Sequence, residues 1–377
     1  MPDTPLSALW TRWIRPPGAY PSRRHRVTIE YTSPPALTTG RKITFILVCW
    51  LVAAVLITAS GEVGARLRGH KGYQPWRAEA ADVRVMPGGR FFVPDPVLGY
   101  KQLPGQFVVT LKNVFNFRVT HLPNGLRITH PLETYNNPSN KEEIWIFGCS
   151  FTHGWALNDE ESYPWLLQAQ LPEYEVVNFG VEGYGTIHSL LQYRDAIKEK
   201  RPKVAVLAYL SFHDERNTNL RMWRKNVEAW DDRLGKRRQP YARLDRDGNL
   251  RYSSELSAYH EFPFMRYSAF SHWLELHYNS FEQRYANSRA VSQALIRQMD
   301  AEAKENGVKF LVAGLGYDNS TRRMLSYLQG NGTRAVDISV DPLIKGNSLS
   351  YDPHPGPLAD KSYADKLEDI LRAEYLK

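Results

Sequence analysis

Ser150 stands in the stretch Gly148-Cys-Ser-Phe-Thr-His-Gly154, directly after the apolar run Glu143-Ile-Trp-Ile-Phe147, and far later the chain offers Asp352 and His354 in Tyr-Asp-Pro-His-Pro-Gly. A serine hydroxyl is a weak nucleophile until an imidazole accepts its proton, and the imidazole needs a third group to hold its tautomer. Ser150, His354 and Asp352 have the residue types for those three roles. The oxyanion formed on attack needs N–H donors already in place. The backbone N–H groups of Ser150 and of Gly183, in Asn178-Phe-Gly-Val-Glu-Gly-Tyr-Gly185, are candidates. Cys149 is the competing nucleophile, but neighbouring positions at a strand tip point in opposite directions, so only one of the two faces a given site. His153 and His188 raise the question of a metal. They lack a carboxylate or cysteine cluster at ligand spacing, so no metal is expected.

Several elements must bring these residues together. Short apolar, β-branched runs at 143–148, 174–180, 203–210, 308–314 and 334–339 alternate with helical stretches at 162–171, 186–200 and 288–307, and with a closing helix at 358–372. Gly307 falls where a helix C-cap belongs. Near-continuous hydrophobic strands are those buried on both faces, and strands alternating with helices form right-handed βαβ units. The expected fold class is therefore α/β, a three-layer α/β/α sandwich around a central parallel sheet. In such a sheet the ligand-binding groups gather at the strand C-terminal ends. That rule places Ser150, the glycine loop 178–185, the loop Ser211-Phe-His213-Asp214 and the Asp352–His354 pair at one edge. An insertion at 213–288 interrupts the pattern, with a hairpin expected around Asp247-Gly248 and an aromatic-rich stretch after it. It is either a substrate cap or an aromatic cluster roofing the sheet.

Four blocks of this domain resemble the SGNH, or GDSL-type, hydrolases. Ile146-Phe-Gly-Cys-Ser-Phe-Thr-His-Gly154 with Tyr163-Pro-Trp-Leu-Leu167 is similar to the first block, and Val176-Val-Asn-Phe-Gly-Val-Glu-Gly-Tyr-Gly-Thr186 to the second. Tyr209-Leu-Ser-Phe-His-Asp-Glu-Arg-Asn217 is similar to the third, and the run from Asp352 to Leu367 to the last. The resemblance covers 141–377. Residues 62–140, with Pro94–Gly105 ahead of Asn124-Gly-Leu-Arg127, are similar to the leader of membrane-anchored bacterial members. The resemblance implies a flavodoxin-like fold and ester hydrolysis or acyl transfer without a metal or organic cofactor. Three positions depart from the family pattern. Cys149 replaces the usual Asp before the nucleophile, and Asp352 and His354 are two apart rather than three, as in members of the alginate-acetylating type. His213 occupies the place of the third-block Asn. Its imidazole N–H is then the implied third oxyanion donor, with Asn217 as a nearby substitute, and its titration near pH 6.5 implies a shifted acid limb of activity.

Ahead of this domain, Ile43 to Gly61 carries no charge over 19 residues. At about 1.5 Å per residue that nearly spans a hydrocarbon core of roughly 30 Å. A transmembrane helix is expected, in preference to a cleaved signal peptide, because a 42-residue leader is longer than signal peptides carry. Residues 1–42 hold seven basic residues against Asp3 and Glu30, which leaves only +3 of the chain's net +8 for everything after them. The positive-inside rule puts this arm in the cytoplasm and the rest outside the membrane. The basic balance then points to lipid headgroups rather than nucleic acid. Residues 62–140 alternate with period two and read as a small β-rich segment, Pro123-Asn-Gly125 being the turn between two strands. Two cysteines support no disulfide framework.

The expected organisation is thus a basic arm (1–42), a span (43–61), a juxtamembrane β-rich segment (62–140) and a hydrolase-like domain (141–377). The expected function is a membrane-anchored serine esterase acting on O-acyl esters of a carbohydrate or cell-envelope polymer. Two other functions compete with it. One is a polysaccharide O-acetyltransferase using the same triad. The other is a catalytically silent scaffold or binding protein, supported by the departures at 149 and 213.

Overall fold

The computed structural model describes residues 38–75, 83–136, 140–228, 235 and 237–376. The basic arm expected at 1–42 lies almost wholly outside these residues. The chain divides into two units, Met1–Ile57 and Thr58–Lys377. Helix α1 (Thr39–Leu67) contributes to both. Among the described residues it is the one helix long and apolar enough to cross a membrane, a property that an N-terminal signal sequence shares.

The second unit begins its regular structure with β1 (Val83–Met86), β2 (Phe92–Asp95), β3 (Gly99–Gln102), β4 (Gly105–Leu111) and β5 (Phe115–His121). Strands β1, β4 and β5 form an antiparallel sheet, and β2 pairs with β3. The alternation seen in the sequence is real: Phe107, Val109, Leu111, Phe117 and Val119 are all buried on one face. The turn is placed differently from expectation. The three residues Lys112, Asn113 and Val114 make the β4–β5 hairpin, the first two at positive φ and the Val114 N–H returning to the Leu111 carbonyl. Pro123-Asn-Gly125 forms a separate tight turn, closed by the Gly125 N–H to the Leu122 carbonyl, that returns the chain antiparallel to the end of β5, where Arg127 bridges both His121 and Asn178 without forming a further strand.

The main domain follows in the order β6 (Glu143–Phe147), α2 (Ser150–His153), α3 (Tyr163–Gln170), β7 (Glu175–Asn178), α4 (Thr186–Ala196), β8 (Val204–Tyr209), α5 (His213–Asn217) and α6 (Arg221–Glu228). It continues with β9 (Arg238–Leu244), β10 (Leu250–Leu256), α7 (Ala269–Tyr285), α8 (Ser288–Glu305), β11 (Lys309–Gly314), α9 (Asn319–Gly330), β12 (Ala335–Asp337) and α10 (Pro357–Glu374). Five strands make one parallel sheet in the order β7-β6-β8-β11-β12. Because successive strand residues face opposite sides, Trp145 and Phe147 enter a core with Ile187 and Leu190 of α4, Leu295 and Met299 of α8 and Leu325 of α9. Ile144 and Ile146 enter the other, with Tyr163 and Leu167 of α3 and Tyr363 and Leu367 of α10. The result is the expected three-layer α/β/α sandwich with flavodoxin-like strand order. Its switch point, where β6 is flanked by β7 on one side and β8 on the other, is where ligands bind in such sheets.

The insertion between β8 and α8 holds α5, α6, the β9–β10 hairpin and α7, and the hairpin turns at Asp247-Gly248 as its sequence indicates.

Candidate active site

Ser150 opens α2 just after the interior strand β6, and Cys149 precedes the helix in extended conformation. The strand-to-helix switch is so tight that Gly148 has no room for a side chain: a Cβ there would lie 2.0 Å from Thr152 Oγ1. Cys149 is fully buried in the core shared with α3 and α10, while Ser150 lines the cavity beside it. The opposite facing of neighbouring strand-tip residues thus separates the two candidate nucleophiles.

His354 Nε2 lies 2.9 Å from Ser150 Oγ. The other ring nitrogen of His354, Nδ1, meets Asp352 Oδ1, and the same carboxylate oxygen accepts the His354 backbone N–H at 3.0 Å. The two-residue spacing makes this possible, because the carboxylate folds back onto both the amide and the ring of one residue. Burial pushes the Asp352 carboxyl up, but its bonds to His354 outweigh that and hold it below the usual carboxylate range. Asp352 is therefore ionised where it fixes the imidazole, leaving Nε2 free to accept the serine proton.

The glycine loop after β7 completes this edge. Asn178 bridges loop and helix, donating to the Thr152 carbonyl at 3.1 Å and accepting the Gly180 N–H at 2.9 Å. Gly183, at φ 79°, lines the same cavity as Ser150, and a Cβ there would lie 2.3 Å from the Tyr100 hydroxyl. Ser150 is the first residue of α2, so its N–H has no partner within the helix.

His213 is not part of this arrangement. It is fully buried, its ring packs edge-on against Tyr209 and Phe212, and it is not among the residues lining the cavity. Burial holds its imidazole well below the ordinary histidine range, with Arg216 and His188 adding to the effect. The expected third oxyanion donor and its acid limb are therefore corrected: α5 begins at this residue and turns the ring inward. Asn217 is also interior, accepting the Ile187 N–H at 2.9 Å and donating to Ser292 Oγ at 2.9 Å. One helical turn beyond His213, Arg216 reaches the cavity, its guanidinium 4.7 Å from the centre of the Trp223 ring. His153 and His188 are apart: His153 Nε2 meets His121 Nε2 at 3.0 Å, whereas His188 stacks on Tyr184.

The cavity encloses about 410 Å³. Phe92, Tyr100, Trp155, Trp223 and Tyr351 give it aromatic walls, and Lys112, Arg216, Arg237 and Glu182 bring charge to them. Six of these nine residues come from the β-rich segment and from the insertion. Tyr100 also donates to the Glu182 carbonyl at 2.6 Å, and Gln102 to the Gly180 carbonyl at 3.1 Å, so β3 braces the glycine loop. Arg127 braces α2. Its buried guanidinium donates to the carbonyls of His153 (2.7 Å), Gly154 (2.6 Å) and Leu157 (2.8 Å) and to Asp159 Oδ1 (2.9 Å). A lone arginine in the apolar run Leu126–Ile128 is the signal that marks it in retrospect.

No family model matches the chain. No curated protein matches it either. Solved structures align with part of it. A member of the lipolytic G-D-S-L family from Veillonella parvula is 9% identical, covering 61% of this chain and 98% of its own, with a TM-score of 0.37. A GDSL-like lipase from Bacteroides thetaiotaomicron is 13% identical over 64% of this chain and 89% of its own, TM-score 0.32. A lipase/acylhydrolase from Enterococcus faecalis is 11% identical over 62% of this chain and 96% of its own, TM-score 0.36. These neighbours carry the name of the family that the four sequence blocks resemble. At such values the chemistry of this chain rests on its own side chains.

Proposed function

We propose that the chain is a membrane-anchored serine ester hydrolase of the SGNH type, acting on O-acyl groups of a carbohydrate or cell-envelope polymer. One observation carries the reading: Ser150 Oγ, His354 Nε2 and the Asp352 carboxylate lie in hydrogen-bonding sequence at the wall of an aromatic-lined cavity. Ser150 Oγ attacks the ester carbonyl carbon while its proton passes to His354 Nε2. The Asp352 carboxylate holds the resulting imidazolium, and the N–H groups of Ser150 and Gly183 receive the oxyanion. Collapse breaks the bond to the alcohol, which takes the proton from His354 and leaves. Water then attacks the acyl-serine, giving one proton to His354; the bond from the acyl carbon to Ser150 Oγ breaks, Oγ takes that proton back from His354, and the carboxylic acid departs.

Flat aromatic walls suit the C–H faces of sugar rings, and three cationic side chains suit a hydroxyl-rich or anionic polymer better than a lone alkyl chain. The uncharged run 43–61 supports the anchor, and the basic residues before it support a cytoplasmic N-terminus with the catalytic domain outside the cell membrane. Transfer of the acyl group to a sugar hydroxyl is a second reading. Its support is that Ser150 is only 6% exposed, which limits the access of competing water. The silent-scaffold reading rested on positions 149 and 213, neither of which contributes to the cavity wall.

The test is labelling of the full-length protein in detergent by a fluorophosphonate probe. Labelling of the wild type that disappears in Ser150→Ala is expected. Folded wild type that resists the probe would overturn the proposal. Release of acetate from an acetylated polysaccharide, with and without an acceptor glycan, then separates hydrolysis from transfer.

A further inference from the structure

Helix α7 is built inside out. The side it turns to the protein carries Glu275 and Asn279, both buried. Glu275 is held there by Lys225 at 2.9 Å and by the Tyr259 hydroxyl at 2.7 Å. Phe270, Leu274, Tyr278, Phe281 and Tyr285 recur at spacings of four, four, three and four, which puts them in one stripe. The last four are exposed, Phe281 at 59% and Tyr285 at 83%, and just before the helix Phe264 and Tyr267 are about as open, at 79% and 80%. Soluble helices place these two classes of side chain the other way round.

What covers the stripe is indicated by where the helix begins. Gly61, the last residue of the uncharged run, packs so closely on Phe270 that a Cβ would come within 2.7 Å of its ring. The next residue, Glu62, caps α7: its carboxylate accepts from Ser268 Oγ at 2.7 Å and from the backbone N–H groups of Ala269 at 3.1 Å and Phe270 at 3.0 Å. Arg66 donates to the Tyr267 carbonyl at 3.1 Å. The stripe therefore starts at the level where the apolar run gives way to charge, which in a spanning helix is the boundary between acyl chains and headgroups. Aromatic residues concentrate at that depth.

We propose that α7 lies along the outer membrane–water interface, with the stripe Phe270–Tyr285 sunk into the lipid as a second, monotopic membrane contact. The proposal rests on the reading of 43–61 as a span. Its consequence for the site runs through α6. Lys225 on that helix holds Glu275, while Trp223 and Val227 of the same helix line the catalytic cavity. Seating α7 in lipid would fix the cavity close to the bilayer surface, where an envelope polymer or its lipid-linked precursor is presented.

Bimane labelling of single cysteines in the full chain, reconstituted in nanodiscs containing nitroxide lipids, tests this. The native Cys49 lies in the run and Cys149 is buried, so the wild type reports the span, and Leu274→Cys, Phe281→Cys and Gln283→Cys in a Cys49→Ser background report α7. Nitroxide near the glycerol is expected to quench positions 274 and 281 at least about twofold and to leave 283, on another face of the same helix, nearly unchanged. Nitroxide near the chain ends should quench Cys49. If 281 is no more quenched than 283 while Cys49 is quenched, the interfacial helix is overturned and the span stands. An unquenched Cys49 overturns the span itself. Protection of 281 that needs two copies per disc, without lipid quenching, would assign the stripe to a second copy instead.

Discussion

At Ser150 and its partners, the division of labour comes from which way each side chain faces. Cys149 and Ser150 are adjacent, yet the first is sealed in the core and the second faces the imidazole. Cys149→Ala should therefore keep hydrolysis of a small test ester within about threefold of wild type, its cost being the loss of a buried side chain; a collapse of activity in folded protein would make the thiol the nucleophile. Asp352→Asn removes the charge that holds the imidazolium and should lower kcat by about 10³- to 10⁴-fold with the fold intact, measured with the same ester. That these three residues meet was legible in the sequence because Gly-x-Ser after an apolar strand and Asp-Pro-His before a final helix are local patterns. The role given to His213 was misread because alignment supplies a position but not a side-chain direction.

Among the elements, the β-rich segment does more than pack beside the sheet. Through Arg127 it binds the carbonyls at the end of α2, and through Tyr100 and Gln102 it braces the loop bearing Gly183. Arg127→Ala leaves Asp159 as a buried charge without its guanidinium, and should cost about 3–5 kcal/mol in denaturant unfolding of the detergent-solubilised chain. Gly183→Ala forces a Cβ against Tyr100 at a left-handed backbone position, and should slow fluorophosphonate labelling of Ser150 by roughly 10²-fold while leaving secondary structure unchanged. Neither brace was legible beforehand. Arg127 and Asp159 lie far from Ser150 along the chain or are hidden in ordinary polar context, and only the packing of two sheets brings them together.

For the whole molecule, buried neutral histidines couple stability to pH. Burial, as the main cause, pushes His121 and His188 down to about 3, and holds His153 and His213 well below the ordinary range. In the unfolded chain these groups titrate near 6.5, so between 6.5 and 3 the unfolded state binds more protons and stability falls as pH falls. At pH 5 the loss should be roughly 2 kcal/mol each for His121 and His188. Thermal melts should accordingly drop steadily from pH 7 to 5, and a His121→Gln variant should show a shallower decline; a melting temperature independent of pH over that range would contradict the assignment.

The sequence by itself determined the layer order, the parallel sheet, the uncharged run and which residue types stand at the strand ends, Ser150, Asp352 and His354 among them. All of these follow from short-range signals: hydrophobic period, turn residues and residue type at a strand end. Tertiary structure alone decided which face Cys149, His213 and Arg216 take, that Arg127 grips α2, and that α7 wears its apolar side outward. Those outcomes depend on close packing between segments distant in the chain, where a rotation of one helix by a single residue exchanges a buried side chain for an exposed one.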